Sequence, residues 1–140
     1  MAESGTQQGG CLCGAVRYEL AQSDVVSAHH CYCRDCQRST GGGFTTFFML
    51  PDASFTLLQG KLASCRVTGE SGGTIERSFC PDCGSPIFSQ ASIASGLVFV
   101  KAGSLDHGDW LQITSSFWGS SAQPWTVIDE RHEIHDRNPG

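Results

Sequence analysis

The stretch Gly10-Cys11-Leu12-Cys13-Gly14-Ala15-Val16-Arg17-Tyr18-Glu19-Leu20 sets two patterns side by side. The first is a cysteine pair with one residue between. Residues two apart on an extended chain face the same way, so Cys11 and Cys13 can present two sulfurs to one ion. The second is an alternation that puts Val16, Tyr18 and Leu20 on one face and Arg17 and Glu19 on the other, as in a half-buried β-strand. A strand entered through a pair of metal-type ligands predicts an all-β domain whose turns carry metal sites.

Working outward, the same strand character recurs at residues 44–50, 55–58, 62–68, 74–79, 97–102 and 113–118, all rich in β-branched or aromatic side chains. Glycine interrupts the chain often, and no window of a dozen residues holds the apolar 3.6 period of a long helix. Pro51-Asp52 and Ser71-Gly72-Gly73 read as turns, and residues 33–39 as a single helical turn. The expected architecture is therefore mainly antiparallel β.

Seven of the eight cysteines fall into three clusters: Cys11 and Cys13; Cys31, Cys33 and Cys36; Cys80 and Cys83. In Cys80-Pro81-Asp82-Cys83-Gly84 the proline fixes φ and the glycine tolerates positive φ, features of a zinc knuckle. Seven thiolates do not complete two four-sulfur sites, but they divide into four and three. Closed structural zinc takes four ligands, whereas catalytic zinc keeps three and leaves one position for water or substrate. Pairing the outer clusters gives a closed site and leaves the central trio open. The alternatives are two incomplete or alternating sites, or a catalytic disulfide within the trio.

The remaining composition bounds the function. A chain of 140 residues, 39% hydrophobic with 17 glycines, suits one soluble domain. Fourteen acidic residues against nine basic ones give a net charge of -5, without blocks of like charge. That excludes an electrostatic case for nucleic acid or anionic membrane as partner. The longest apolar stretch, 97–102, is far short of a membrane span. Residues 1–10 lack the pattern of a secretory signal, so a reducing cytoplasm is expected, where clustered cysteines bind metal rather than form disulfides.

With these motifs in place, the sequence resembles the glutathione-dependent formaldehyde-activating enzymes, the GFA or CENP-V domain family. The resemblance runs through Gly10 to Tyr18, Cys31-Tyr32-Cys33-Arg34-Asp35-Cys36, Gly41 to Phe44, Arg77-Ser78-Phe79-Cys80-Pro81-Asp82-Cys83-Gly84-Ser85 and Ala102-Gly103-Ser104-Leu105-Asp106, and ends near Trp125. It implies the Mss4-like, or β-tent, fold of several small antiparallel sheets held by zinc, with two zinc ions per chain. By position, Cys11, Cys13, Cys80 and Cys83 correspond to the family's structural ligands, and Cys31, Cys33 and Cys36 to its catalytic ones. The implied organisation is a flexible N-terminus over 1–8, the zinc domain over 9–130 and a flexible tail over 131–140. Tyr32 and Gln37 stand where the family often has histidine and arginine.

The implied activity is that of a carbon-sulfur lyase, forming or cleaving an adduct between a small thiol such as glutathione and a small aldehyde such as formaldehyde. A homodimer is compatible with it. The rival is a noncatalytic zinc module of the same fold that binds a protein partner, and a third is a thiol redox protein using Cys33 and Cys36. Arg34, Arg38 and Lys101 are candidate partners for substrate carboxylates. His29 or His30 is a candidate fourth ligand or proton carrier, although a place beside a ligand, hydrogen-bonded to it, or at the surface is the plainer expectation. Cys65 reads as a buried small apolar residue. Trp110, Trp118, Trp125, Phe44, Phe47 and Phe48 read first as core, with one of Phe117, Trp118 or Trp125 as a candidate to face the open site.

Overall fold

The computed structural model describes residues 5–69 and 72–138. Among them the chain forms β1 (Thr6–Gly10), β2 (Arg17–Ala21), β3 (Ser27–Cys31), α1 (Arg34–Thr40), β4 (Thr45–Pro51), β5 (Phe55–Gln59), β6 (Ala63–Thr68), β7 (Thr74–Phe79), β8 (Pro86–Ala91), β9 (Leu97–Lys101), β10 (Ser115–Phe117) and β11 (Glu133–Ile134), with short 3-10 turns between. The expected all-β architecture is met, with one short helix where a helical turn was predicted.

The strands make two sheets. A three-stranded sheet has the order β1-β2-β5, and an eight-stranded sheet the order β11-β10-β3-β4-β9-β8-β7-β6. Pairing is antiparallel except at β10, which runs parallel to both β3 and β11. The alternation in β2 does what its sequence predicts: Val16 before it, and Tyr18 and Leu20 within it, are buried. They pack with Phe48 and Leu50 of β4, Ile87 of β8, and Val98 and Val100 of β9 in one core cluster. Removing a side chain of this kind, as in Phe48→Ala, costs about 3–5 kcal/mol.

Strand β4 has two working faces. Phe48 and Leu50 enter that core, while Phe47 and Met49 join a second cluster with Cys31, Cys36, Phe117 and Trp118. The large sheet thus uses one face for stability and turns the other toward the cysteine trio.

Strands β1, β3, β8 and β11 were not expected. Thr-Gln-Gln-Gly-Gly and Ser-Ala-His-His-Cys are poor in β-formers, and both are recruited by register against β2 and β4. Pairing starts at Thr6 and reaches Ile134, so residues 6–8 and 133–134, assigned to flexible ends, are held in sheets. Beyond β11, the Trp118 backbone N–H donates to the carbonyl of Arg137. Residues 1–4, 139 and 140 of those ends lie outside the described residues, as does Ser71 of the predicted turn, where Gly72 carries a φ of 91°. Cys65 is exposed rather than buried, because β6 is an edge strand that pairs, among the described residues, with β7 alone. Among the described residues, no helix is long and apolar enough to cross a membrane.

Candidate metal centres and the adjoining cavity

Cys11 and Cys13 lie on the turn between β1 and β2, and Cys80 and Cys83 on the turn between β7 and β8. Gly14 and Gly84 close these turns with φ of 83° and 80°, a conformation that disfavours side-chain-bearing residues. The Gly14 N–H donates to the Cys11 carbonyl at 3.2 Å and the Gly84 N–H to the Cys80 carbonyl at 2.8 Å. The four sulfurs all lie within 4.8 Å of one another. Cys11 and Cys13 are 3.6 Å apart, and Cys13 and Cys80, 67 positions apart in sequence, are 3.8 Å apart. Ligands about 2.3 Å from a tetrahedral zinc stand about 3.8 Å from each other, so the spacing fits that ion.

The surroundings suit thiolates. The Val16 N–H donates to the Cys11 sulfur at 3.2 Å, and the Ser85 hydroxyl lies 3.2 Å from that of Cys83. The side-chain and backbone donors of Ser85 bring the Cys83 thiol down to about 5. Cys80 is fully buried and belongs to the main core, with Cys11 and Cys83 packed against it.

The second cluster is local. Cys31 ends β3, Cys33 caps α1, and Cys36 lies in its first turn. The Cys36 N–H donates to the Cys33 sulfur at 3.3 Å, so the helix start fixes two of the three ligands. The three sulfurs lie within 4.8 Å of one another, again within reach of one ion. Hydrogen bonds from Cys31 and then Cys33, with the charges of Lys101 and Arg77 behind them, bring the Cys36 thiol down to about 3. Hydrogen bonds with Cys33 and then Cys36, together with burial, push the Cys31 thiol upward. Among the described residues, no further His, Cys, Asp or Glu ligand atom completes this group.

The two histidines before the trio are engaged elsewhere. His29 is buried, with Nδ1 2.5 Å from the Ser115 hydroxyl and Nε2 2.7 Å from that of Ser27. His30 pairs with the Thr46 hydroxyl at 2.9 Å, among Tyr32, Phe44 and His132. Tyr32 and Gln37 are also buried. Gln37 Nε2 donates to the carbonyls of Tyr32 and Ser121 at 2.7 and 3.0 Å, pinning the helix to the segment after β10.

The trio opens onto a cavity of about 260 Å³. Its lining comes from alternate residues of one sheet face: Phe47 and Met49 on β4, Phe99 and Lys101 on β9, Ser89 and Ala91 on β8, Ile75 and Arg77 on β7. Phe117, Trp118 and Asn138 close one side, where the Trp118 indole N–H donates to Asn138 Oδ1 at 2.7 Å. Of the three cations expected near substrate, only Lys101 lines this cavity. Arg77 lines it too and was not singled out, since its inward direction depends on the pairing of β7 with β8. Phe117 and Trp118 face the trio, whereas Trp125 is exposed rather than core, on an irregular segment after the last 3-10 turn. Trp110 and Phe48 pack together in the main core.

Comparison with known proteins agrees with this geometry. The family described as glutathione-dependent formaldehyde-activating enzyme matches residues 6–121. A protein of Halomonas elongata, provisionally named a glutathione-dependent formaldehyde-activating enzyme, is 30% identical over 84 residues. That alignment covers 58% of this chain and 54% of the relative, so the chain spans about half of that protein's length. A crystal structure of a Rhodobacter sphaeroides protein shares the fold with a TM-score of 0.57 at 20% identity, over 71% of this chain and 87% of that one.

Proposed function

Because the chain belongs to the glutathione-dependent formaldehyde-activating enzyme family, we propose that it is a zinc-dependent carbon-sulfur lyase that forms or cleaves a thiol-aldehyde adduct, with glutathione and formaldehyde as the model pair. Cys11, Cys13, Cys80 and Cys83 would hold a structural zinc, and Cys31, Cys33 and Cys36 a catalytic one. The observation that carries this proposal is the contrast in sulfur sets: four gathered at two turns, three gathered at the mouth of a cavity.

Zinc held by the trio would supply an acceptor for a soft fourth ligand and lower the pKa of an incoming thiol. The chain's own residues prepare the place. The Cys36 N–H fixes the Cys33 sulfur, and α1 holds Cys36 one turn away. Apolar side chains around the opening keep water from the reacting groups, and Lys101 brings a buried ammonium beside them. In the adduct-forming direction the thiol sulfur bonds to the carbonyl carbon, the carbonyl π pair moves to oxygen, and the proton lost from sulfur ends on that oxygen. Both thiol sets require the reducing conditions of the cytoplasm.

The test follows hemithioacetal formation from glutathione and formaldehyde by proton exchange spectroscopy. The zinc-loaded chain should accelerate exchange between free and adduct aldehyde, and Cys36→Ser should return it to the uncatalysed rate. Full activity in that variant would sink the proposal.

A further inference from the structure

The cavity beside the trio has a character that formaldehyde does not need and a peptide does not match. Its walls are mainly the side chains of Phe47, Met49, Ile75, Ala91, Phe99 and Phe117. An aldehyde of two heavy atoms fills little of a 260 Å³ space. A tripeptide thiol brings carboxylates, an ammonium and peptide groups, each costly to bury without a partner.

The cations at the cavity do not supply those partners. Lys101 is buried, and among the described residues its Nζ donates only to the Thr45 hydroxyl, at 3.3 Å. Arg77 has a buried Nε without a hydrogen-bond partner among the described residues. Neither forms an ion pair among the described residues; Asp35, which also lines the cavity, reaches neither. Both cations instead line the same cavity as the three sulfurs of the trio. A divalent ion with three thiolates carries about -1, and a substrate thiolate would bring about -2. Lys101 and Arg77 together carry the matching positive charge, which commits them to the sulfur centre rather than to carboxylates.

Resting on the thiol-aldehyde activity proposed above, we infer that the substrate carries an apolar alkyl or aryl body next to the sulfur-carbon bond and that this body fills the cavity. It can belong to the thiol or to the aldehyde.

The test uses the full-length, zinc-loaded chain in two arms. Calorimetry compares phenylmethanethiol with glutathione, and adduct exchange compares phenylacetaldehyde with formaldehyde in the presence of glutathione. A preference of at least about tenfold for the aryl compound in the first arm assigns the body to the thiol; in the second, to the aldehyde. Preference for glutathione and formaldehyde overturns the inference and leaves the thiol-aldehyde activity standing. Failure of both thiols to bind overturns the inference and the thiol-aldehyde activity together. Ala91→Phe should fill the cavity and weaken the preferred aryl compound about tenfold with zinc content unchanged. Should that variant not fold, Ile93→Asp at the exposed rim should weaken it several-fold, and unchanged aryl binding there would overturn the inference.

Discussion

The two cysteine clusters use similar atoms in opposite ways. The four-cysteine cluster draws together turns that are far apart in sequence, with Cys80 inside the main core. The three-cysteine cluster gathers residues from a six-residue stretch, on the face of the large sheet turned away from that core. A metal in the first would close a long loop and hold the fold together. In the second it would be supported by a fold already made. Sulfur geometry alone does not separate these roles; the separation comes from what surrounds each cluster, core on one side and a cavity with two cations on the other.

The comparison breaks most sharply under substitution. Cys80→Ser should leave the chain unfolded by circular dichroism, because structural zinc supplies about 10–16 kcal/mol of apparent binding energy and a domain of this size has a net stability of about 5–15 kcal/mol. Cys36→Ser should leave a folded chain with one zinc, at a cost on the order of 1–2 kcal/mol and a melting shift of about 5 °C. Equal unfolding of the two variants would erase the distinction.

An intermediate effect is expected from the C-terminal segment. Residues 131–138 run past the trio, with β11 paired to β10 and Asn138 bound to the Trp118 indole. Trp118 itself has a φ of 60°, unusual for a non-glycine residue, so its position depends on these contacts. Ending the chain at residue 130 should cut adduct exchange at least about tenfold while both zincs remain. A truncated chain with full activity would show that the segment is not part of the cavity wall.

The smallest effect sharpens the comparison by testing a non-metal tie near the four-cysteine cluster. Arg17 pairs with Asp106 at 2.5 Å, and this hydrogen-bonded partner holds the Asp106 carboxyl below its usual range. A depressed carboxyl pKa gives stability that is present above the unfolded value near 3.8 and is lost as pH falls through the lower folded value. The pair is partly exposed, so Asp106→Asn should cost no more than about 1 kcal/mol at neutral pH. Thermal melts should show the difference between variant and parent vanish in acid. A loss comparable to that of Cys80→Ser would mean that charge, rather than metal, ties this region.

Much of this contrast was legible in the chain. The C-x-C, C-x-C-x-x-C and C-x-x-C spacings are local, and so is the alternation that buries Tyr18 and Leu20. What the sequence did not show depends on pairing. His29 and His30 sit in a strand because β3 finds β4 and β10, and Arg77 reaches the cavity because β7 and β8 share a face. Cys65 has the spacing of an inward residue, yet its strand lies at a sheet edge that, among the described residues, no further strand extends. The C-terminal segment is charged and short of β-formers, so its docking onto β10 had no local signal.

The most direct test of the closed and open sites is zinc content per chain, followed by zinc-edge absorption with and without added thiol. Two zincs per chain, with a mean sulfur coordination that rises toward four when thiol is added, is the predicted result. A single zinc, or a sulfur count unmoved by thiol, would contradict the account.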